Sequence, residues 1–472
     1  MRGIVAYGTY LPYWRLERKA IAEALGAPAG SGTRSVASHD EDTTSLGVEA
    51  ARAALRGLRG PGPEALYFAT ADPPYLDKTN ATAIHAALDL SPSAMAVDML
   101  GAVRSGAGAL RAALDARVPA LAVLSDVRGG LPGGSDERDG GDGAAAFLCG
   151  DGDERQPVLA EALAWASATA EFLDRWRRPG DAASRQWEER FGEHAYVPLG
   201  QAALGEALKR AGIAPPSLAR LIVAGPHGRA CRRVAAGAGA RKEAVADDLA
   251  AVVGNTGTAQ AGLLLADALD RARPDDVIAV LSLADGADAC VWRVTGGVSA
   301  RPAPSTVAGQ IARATGRVSY PTFLTWRGVL RREPPRRPDP RPPDAPPARR
   351  SEAWKFAFTG SRCQACGARH LPPQRVCVKC HAVDRMAREP LADVPATVAT
   401  FTVDRLAYSM SPPVVVGVLD FDGGGRYQSE LTDVDPGAVR IGDRVAMTFR
   451  RILTADGVHN YFWKARPLRD GS

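Results

Sequence analysis

The 472-residue sequence predicts a duplicated α/β domain in five layers, αβαβα, followed by a small cysteine-rich element and an all-β barrel. Three observations predict this. Short, continuously apolar strands alternate with amphipathic helices over residues 1–300, the pattern of mainly parallel sheets covered on both faces. The order of elements repeats, once in each half of that region. Four of the seven cysteines then fall within one short segment, ahead of a strand-rich tail.

In the first half, LGVEAARAALRGL (46–58) reads as a helix and ALYFAT (65–70) as a strand. A second helix follows near residue 80, then the helix of GAVRSGAGALRAALD (101–115) and the strands ALAVLSD (120–126) and GAAAFLCG (143–150). In the second half, GQAALGEALKRAGI (200–213) is a helix, RLIVAG (220–225) a strand, and GNTGTAQAGLLLADALD (254–270) a helix. DVIAVLSL (276–283) and DACVWRVT (288–295) complete it as strands. The helices RSGAGALRAAL and NTGTAQAGLLLADAL carry little side-chain bulk, so they can approach closely and are expected in the middle layer. A helix and a Pro/Arg-rich linker occupy 301–357; within them RREPPRRPDPRPPDAPPARR (331–350) reads as extended and unpacked. The cysteine-rich element is placed at 358–385 and the barrel at 386–472.

The formal net charge of +5 would suit an acidic partner, but the arginines are spread along the chain outside the linker, which reads as solvation. No apolar run is long enough to span a bilayer, and MRGIVAYGTYLPYWRL lacks the sections of a signal peptide. Three scattered cysteines beside the cluster argue against a disulfide framework. The expectation is a cytoplasmic protein without a membrane partner.

Cys363, Cys366, Cys377 and Cys380 form C-x2-C, ten residues, C-x2-C. Each pair on a tight turn aims two thiolates at one point, and two such turns complete a tetrahedron around Zn²⁺ with no open position, so the metal is expected to be structural. His370 and His381 are spare donors at most. The alternating strands that follow, with the turn DGGGR (422–426), fit a small Greek-key barrel.

The motifs GIVAYGTYLPYWRL, SVASHDEDTTSLGVEAARAAL from Ser35, PPYLDKTNATAIHAAL from Pro73, EFLDRWRRPGD from Glu171 and GNTGTAQAGLLL from Gly254 occur in this order. Through them, residues 1–300 resemble 3-hydroxy-3-methylglutaryl-CoA synthase of the archaeal and bacterial type, in the thiolase superfamily. The resemblance implies a thiolase-like fold and an acyl-CoA-binding dimer with its active site between the two halves. Residues 322–468 resemble the zinc-ribbon plus OB-fold acyl-CoA-associated proteins (domain of unknown function 35). The carrying motifs are SRCQACGARHLPPQRVCVKC, ATVATFTVDRL, PPVVVGVLDFDGGGRYQSEL and VRIGDRVAMTFRRI. That module usually accompanies a thiolase as a separate chain; here the two are fused.

In the synthases this region resembles, a cysteine at a central helix N-terminus holds the acyl group as a thioester. A glutamate acts as acid/base, and a histidine binds the second acyl-CoA. This sequence departs at all three places. GAVRSGAGAL puts Val103 where the cysteine belongs. ATADPPYLDK puts Ala71 at the glutamate position, with Asp72 beside it. VAGPHGRACRRV puts Ala224 at the histidine position, with His227 three residues later. Asn255 of GNTG stands in place.

Valine has no lone pair, which excludes covalent acyl transfer at 103. Ser105 and Cys231 read as helix packing and a buried hydrophobe rather than replacements. Asp72, His227 and Asn255, with Tyr75 nearby, are the candidate catalytic groups. Each has a plainer structural reading: a turn cap for Asp72, packing for Tyr75, a solvated loop for His227. Arg104 and Arg229 are candidates for CoA phosphates, or surface charges.

Three functions follow. The first is acyl-CoA carbon–carbon chemistry of the aldol or retro-aldol type, which needs only a base and an oxyanion site. The second is a catalytically silent scaffold partner of an active thiolase or acyltransferase; the expected assembly is a homodimer or a heteromer with a thiolase-fold or hydratase protein. The third is an OB-fold nucleic-acid binder, for which FTVDRLAY and YFWKA offer a few stacking aromatics; it ranks last because the coupled thiolase-like domain favours an acyl-CoA role.

Overall fold

The computed structural model describes residues 2–26, 30–60, 62–300, 305–336, 338 and 340–469. Residues 301–304, at the head of the expected linker region, and Arg337 and Asp339 within it lie outside the described residues. The chain divides into two compact units: Met1–Ala37, Glu49–Thr82 and Ser91–Tyr320 form the first, and Ser38–Val48, Ala83–Leu90 and Pro321–Ser472 the second. The sequence reading drew one boundary near 300. Instead, two short N-terminal segments group with the C-terminal unit, and residues 305–320 group with the first, where Gly316–Arg317 pairs with Trp14–Arg15.

The first unit carries a nine-stranded sheet. Five strands come from the first half, in the order Met95–Leu100, Ala65–Thr70, Ala120–Asp126, Gly143–Gly150, Gly3–Tyr10. Four come from the second half, in the order Ala160–Ala168, Ala287–Val294, Val277–Leu283, Arg220–Ala224. A two-residue ladder, Gly3 to Glu161 and Ile4 to Ala160, joins the halves into one hydrogen-bonded sheet. The expectation of mainly parallel sheets is corrected: three of the eight neighbouring pairs are parallel and five antiparallel. Unbroken apolar runs report that both faces are covered; they carry no information about direction.

The small-residue helices take the central position expected of them. Ser105–Asp115 packs on Ala65–Thr70 and Ala120–Asp126, while Gln260–Asp270 packs on Gly143–Gly150 from one half and on Arg220–Ala224 and Val277–Leu283 from the other. Gly106 shows why bulk is excluded: a Cβ there would lie 2.4 Å from the Thr258 carbonyl oxygen. The core around these helices joins Leu263, Leu264 and Leu265 to Phe147, Ile222 and Trp292. A second core lies under the outer helix Glu189–Ala211, where Ala203, Leu204 and Leu208 meet Leu221, Leu281 and Val291. That helix begins at Glu189, earlier than the predicted Gly200. Its first turns present Gly192 and Tyr196 to the core, a stripe without aliphatic side chains and so without an apolar period.

In the second unit, the ribbon strands Thr359–Cys363, Arg369–His370 and Met386–Pro390 form a three-stranded sheet. The five strands Ala396–Asp404, Val414–Phe421, Arg426–Leu431, Val458–Pro467 and Arg444–Ala455 close into a barrel in that order. Part of the expected linker is helical, over Ala345–Arg350, with prolines in its first turn where the missing N–H costs nothing; none of its residues is buried.

The acidic run of Ser38–Val48 is buried in this unit and fully engaged. Asp40 pairs with Lys464 at 3.0 Å, Glu41 with Arg450, and Asp42 accepts from Tyr461 Oη at 2.7 Å. Arg450 also meets Asp433 at 2.6 Å.

Candidate functional site

A cavity of about 550 Å³ opens in the first unit, within the range of small-ligand sites. Its wall is built from the loop Gly225–His227 after a sheet-edge strand, the loop carrying Asp248 and Asn255, the short helix Ser135–Asp139, and the Gln186–Trp187 stretch. Ala224, His227, Arg229, Asn255 and Cys231 all line it, so the loops after Ala224 and before the second central helix converge on it.

His227 is not the solvated loop residue of its plain reading; it is 4 % exposed and caps the helix Gly228–Gly237. Its Nδ1 accepts from the Ala230 amide at 3.1 Å, which leaves Nε2 to carry the proton and donate to the Glu189 carbonyl at 2.9 Å. Both ring nitrogens are occupied, so its work is to hold the loop. Asn255 donates from Nδ2 to the Gly225 carbonyl at 2.7 Å and accepts at Oδ1 from the Gly257 amide at 2.8 Å. One Nδ2 hydrogen remains.

The group that reading the sequence did not single out is Asp174. It lines the cavity, is 3 % exposed, and its carboxyl has no hydrogen-bond or ion-pair partner among the described residues. Burial raises its pKa above the ordinary 3.8, and His227 and Arg175 offset this only in part. Gly192 makes room for it: a Cβ there would lie 2.5 Å from Asp174 Oδ1 and 2.6 Å from His227 Cδ2. The available signal was its place in EFLDRWRRPGD, an acid in an aromatic-rich motif.

Val103 lies just before the helix Ser105–Asp115 and faces a separate narrow slot. The slot shares Ala224, Gly225 and Gln260 with the cavity and is otherwise lined by groups such as Gly257, Trp165 and Cys290. It holds about 30 Å³, room for a water molecule or two and not for an acyl chain.

Asp72 is exposed, outside the cavity lining, and meets Arg177 at 3.2 Å; Arg177 also donates to the Ala71 carbonyl at 2.6 Å. Tyr75 is tied through its backbone to Asn80. Buried Asp126 holds the same strand end, accepting from the Ala71 amide at 2.7 Å and from Thr258 N at 2.7 Å. Arg104 faces a third cleft, bound to Asp288 at 2.8 Å. Arg229 is at the cavity but lies between Glu189 at 3.2 Å and Glu193 at 3.6 Å. The two arginines therefore do not meet in one site.

The cysteines outside the ribbon supply no thiolate: burial pushes the Cys231 and Cys149 thiols up to about 12 and raises Cys290 as well.

In the ribbon, the four sulfurs of Cys363, Cys366, Cys377 and Cys380 lie within 4.8 Å of one another, with Cys363–Cys380 at 3.6 Å and Cys366–Cys377 at 3.5 Å. Tetrahedral zinc with Zn–S of about 2.3 Å sets sulfurs ~3.8 Å apart, so the donors fit that ion and are too far apart for disulfides. The two knuckles repeat one geometry. Cys363 and Cys377 donate their amides to Ala368 and Ala382, and accept from Gly367 and His381, both with positive φ. His381 is thus a turn residue.

The barrel aromatics are largely used internally. Trp354 stacks on Phe358 at 5.0 Å and meets Tyr427 and Phe462 at 5.3 Å each, while Tyr461 and Trp463 are buried.

Comparison with known proteins agrees with this geometry. Residues 356–384 match the family described as ChsH2, rubredoxin-like zinc ribbon domain, and residues 389–450 match the ChsH2 C-terminal OB-fold domain. The hydroxymethylglutaryl-CoA synthase of Aeropyrum pernix is 30 % identical over 345 residues, covering 70 % of this chain and 94 % of the relative. That of Pyrobaculum aerophilum is 32 % identical over 310 residues, 62 % of this chain and 87 % of the relative. Among solved structures, MvaS in complex with 3-hydroxy-3-methylglutaryl coenzyme A aligns with a TM-score of 0.56 at 19 % identity, over 72 % of this chain and 94 % of that one. The 3-oxoacyl-(acyl carrier protein) synthase III of Pseudomonas aeruginosa aligns at 0.53 and 22 %, over 62 % and 98 %. These structures share the thiolase-like fold. The chain belongs to the hydroxymethylglutaryl-CoA synthase family and carries, fused at its C-terminal side, a zinc ribbon and an OB-fold domain of the ChsH2 type.

Proposed function

We propose that the first unit binds an acyl-CoA thioester in the 550 Å³ cavity and makes or breaks a carbon–carbon bond by aldol or retro-aldol chemistry, without an acyl-enzyme. The observation that carries this is Asp174, a buried carboxyl without a partner among the described residues, on a cavity that no thiolate faces. Its raised pKa suits proton exchange nearer neutral pH than an exposed aspartate would.

For a 3-hydroxyacyl-CoA, the 3-hydroxyl proton passes to the Asp174 carboxylate and the C2–C3 bond breaks. A carbonyl compound leaves, and the electron pair moves onto the thioester oxygen as an enolate. The proton then returns to C2. Asn255, with its remaining Nδ2 hydrogen, is the oxyanion donor, and His227 positions the loop. Asp72 serves through Arg177, holding the strand end at Ala71.

A second reading, the catalytically silent subunit, draws support from His227, whose nitrogens are both occupied, and from the carboxylates that pair with Arg104 (Asp288) and Arg229 (Glu189 and Glu193). In either reading a homodimer, or a heteromer with a thiolase-fold or hydratase protein, is the assembly we propose: the sheet-edge strand Met95–Leu100 is paired on one side only among the described residues.

The test is incubation of the full chain with tertiary 3-hydroxyacyl-CoA thioesters, with chromatography of the CoA products. Cleavage lost in Asp174→Asn supports the lyase; tight binding without turnover, alone or with added thiolase, leaves the silent subunit. Among the described residues no helix is long and apolar enough to cross a membrane.

A further inference from the structure

Two places in the second unit hold apolar side chains in water on firmly fixed backbone. After Trp326, Gly328 takes a φ of 70°, and the amides of Val329 and Leu330 both donate to the Leu324 carbonyl, at 2.9 and 3.1 Å. Both side chains are exposed. The second place is the barrel loop between Ala396–Asp404 and Val414–Phe421. There Asp404 Oδ1 accepts from the amides of Leu406 and Ala407, at 2.8 and 2.9 Å. Leu406 stands clear of its neighbours, 95 % exposed, with Tyr408 exposed two residues on. One hydrogen bond joins the two places: Trp326 Nε1 donates to the Met410 carbonyl at 3.0 Å. A single exposed leucine is ordinary. Two such groups with their backbones tied together make a patch.

The chain that leaves this patch is basic. Residues 331–350 carry seven arginines against three carboxylates, so this stretch supplies most of the formal +5 of the whole sequence. Arg331, Arg332 and Arg341 are exposed and have no ion-pair partner among the described residues. Arg336 meets only Glu333, at 3.8 Å. Arg405, beside Leu406, is exposed and unpaired among the described residues as well. The prolines keep such a segment extended. Its charge is therefore spread along a line, which suits a broad negative surface rather than the two-point recognition of one carboxylate.

We infer that this face of the second unit rests on an anionic lipid surface. Val329, Leu330 and Leu406 enter the boundary of the acyl chains, the Tyr408 ring lies at the headgroups, and Arg331, Arg332 and Arg405 meet headgroup charge. An apolar anchor and a basic stretch are two signals that together hold a protein at a bilayer where one alone gives marginal binding. A bilayer fits better than a protein groove because Leu406 projects from a loop tip and the arginines offer no fixed pocket. The contact is peripheral, needs no spanning helix, and is independent of the chemistry proposed for the first unit.

The experiment is sedimentation of the full chain with two kinds of vesicle, one of phosphatidylcholine alone and one containing about one third phosphatidylglycerol. The parent is compared with Leu406→Ser, Leu406→Phe, the double variant Val329→Ser/Leu330→Ser and the double variant Arg331→Gln/Arg332→Gln. All these positions are exposed, so the variants are expected to fold, and their unfolding curves should match the parent's. The parent should partition onto the anionic vesicles at least about tenfold more than onto the neutral ones, and should leave them as salt rises. Leu406→Ser and the arginine double variant should each lose about tenfold, and Leu406→Phe should keep the parent's binding. Equal partition onto both vesicles, no partition onto either, or unchanged binding in both serine variants overturns the proposal. Retention on heparin that the arginine variant weakens, without any sedimentation on vesicles, also overturns it and gives the basic stretch to a soluble polyanion.

Discussion

The two units bury charge in opposite ways. In the second, Asp40, Glu41, Asp433, Arg450 and Lys464 are all buried and all paired. Burial alone would raise the Asp40 pKa, but Lys464, His39 and Arg450 outweigh it and hold the carboxyl well below 3.8. In the first, Asp174 is as fully buried, has no partner among the described residues and opens on a cavity, and its pKa is raised. Buried charge with a partner specifies structure; buried charge left unmatched beside a cavity is where a ligand completes the pairing. The function proposed above assigns chemistry to the first unit and a scaffold to the second.

The largest effect should come from the ribbon. Zinc removal by chelator, or Cys377→Ser, should unfold residues 356–390, because metal binding there is folding. Proteolysis within that segment reads it, and metal analysis of the intact chain should give about one zinc. Protection unchanged after chelation would remove zinc from the account of the second unit.

Next comes Arg450→Met, which strands Glu41 and Asp433 without their cation. A loss of about 3–5 kcal/mol is expected in denaturant unfolding. A neutral result would mean that the acidic run is solvated and not structural. In the central core of the first unit, Leu264→Ala should cost about 2–5 kcal/mol through its cavity, with no charge involved.

Asp174→Asn should have the smallest effect on stability, and of the opposite sign. Because the folded pKa is raised, the carboxyl's contribution is present below pH 3.8 and is lost as pH rises through the folded value. The asparagine variant should therefore equal or exceed the parent in stability at neutral pH. Asp40 runs the other way: its contribution is present above 3.8 and is lost as pH falls through its lower folded value. Stability curves of Asp174→Asn and Asp40→Asn against pH should diverge accordingly, and parallel curves would break the comparison.

How far each feature was legible in the sequence follows its locality. Strands 65–70, 120–126 and 143–150 lie where expected, since each is an apolar run closed by turn residues. The sheet-edge strand Met95–Leu100, exposed or half-buried along its length, and Ala160–Ala168 lack that signal and were not expected. The zinc ligands are legible because both knuckles are local. The cavity is not, because Arg18, Arg128, Asp174 and Arg232 meet only through the topology. His227 was legible as polar and near the site, but its capping role depends on Glu189 from another helix.

The most direct test of the central claim is an intact-mass measurement of the full chain after incubation with acetyl-CoA, paired with a binding isotherm on the same sample. The account predicts saturable binding and an unmodified mass, because Val103 cannot carry an acyl group and the buried Cys231 stays a thiol. An acetyl adduct that survives denaturation and maps to the cavity would contradict it.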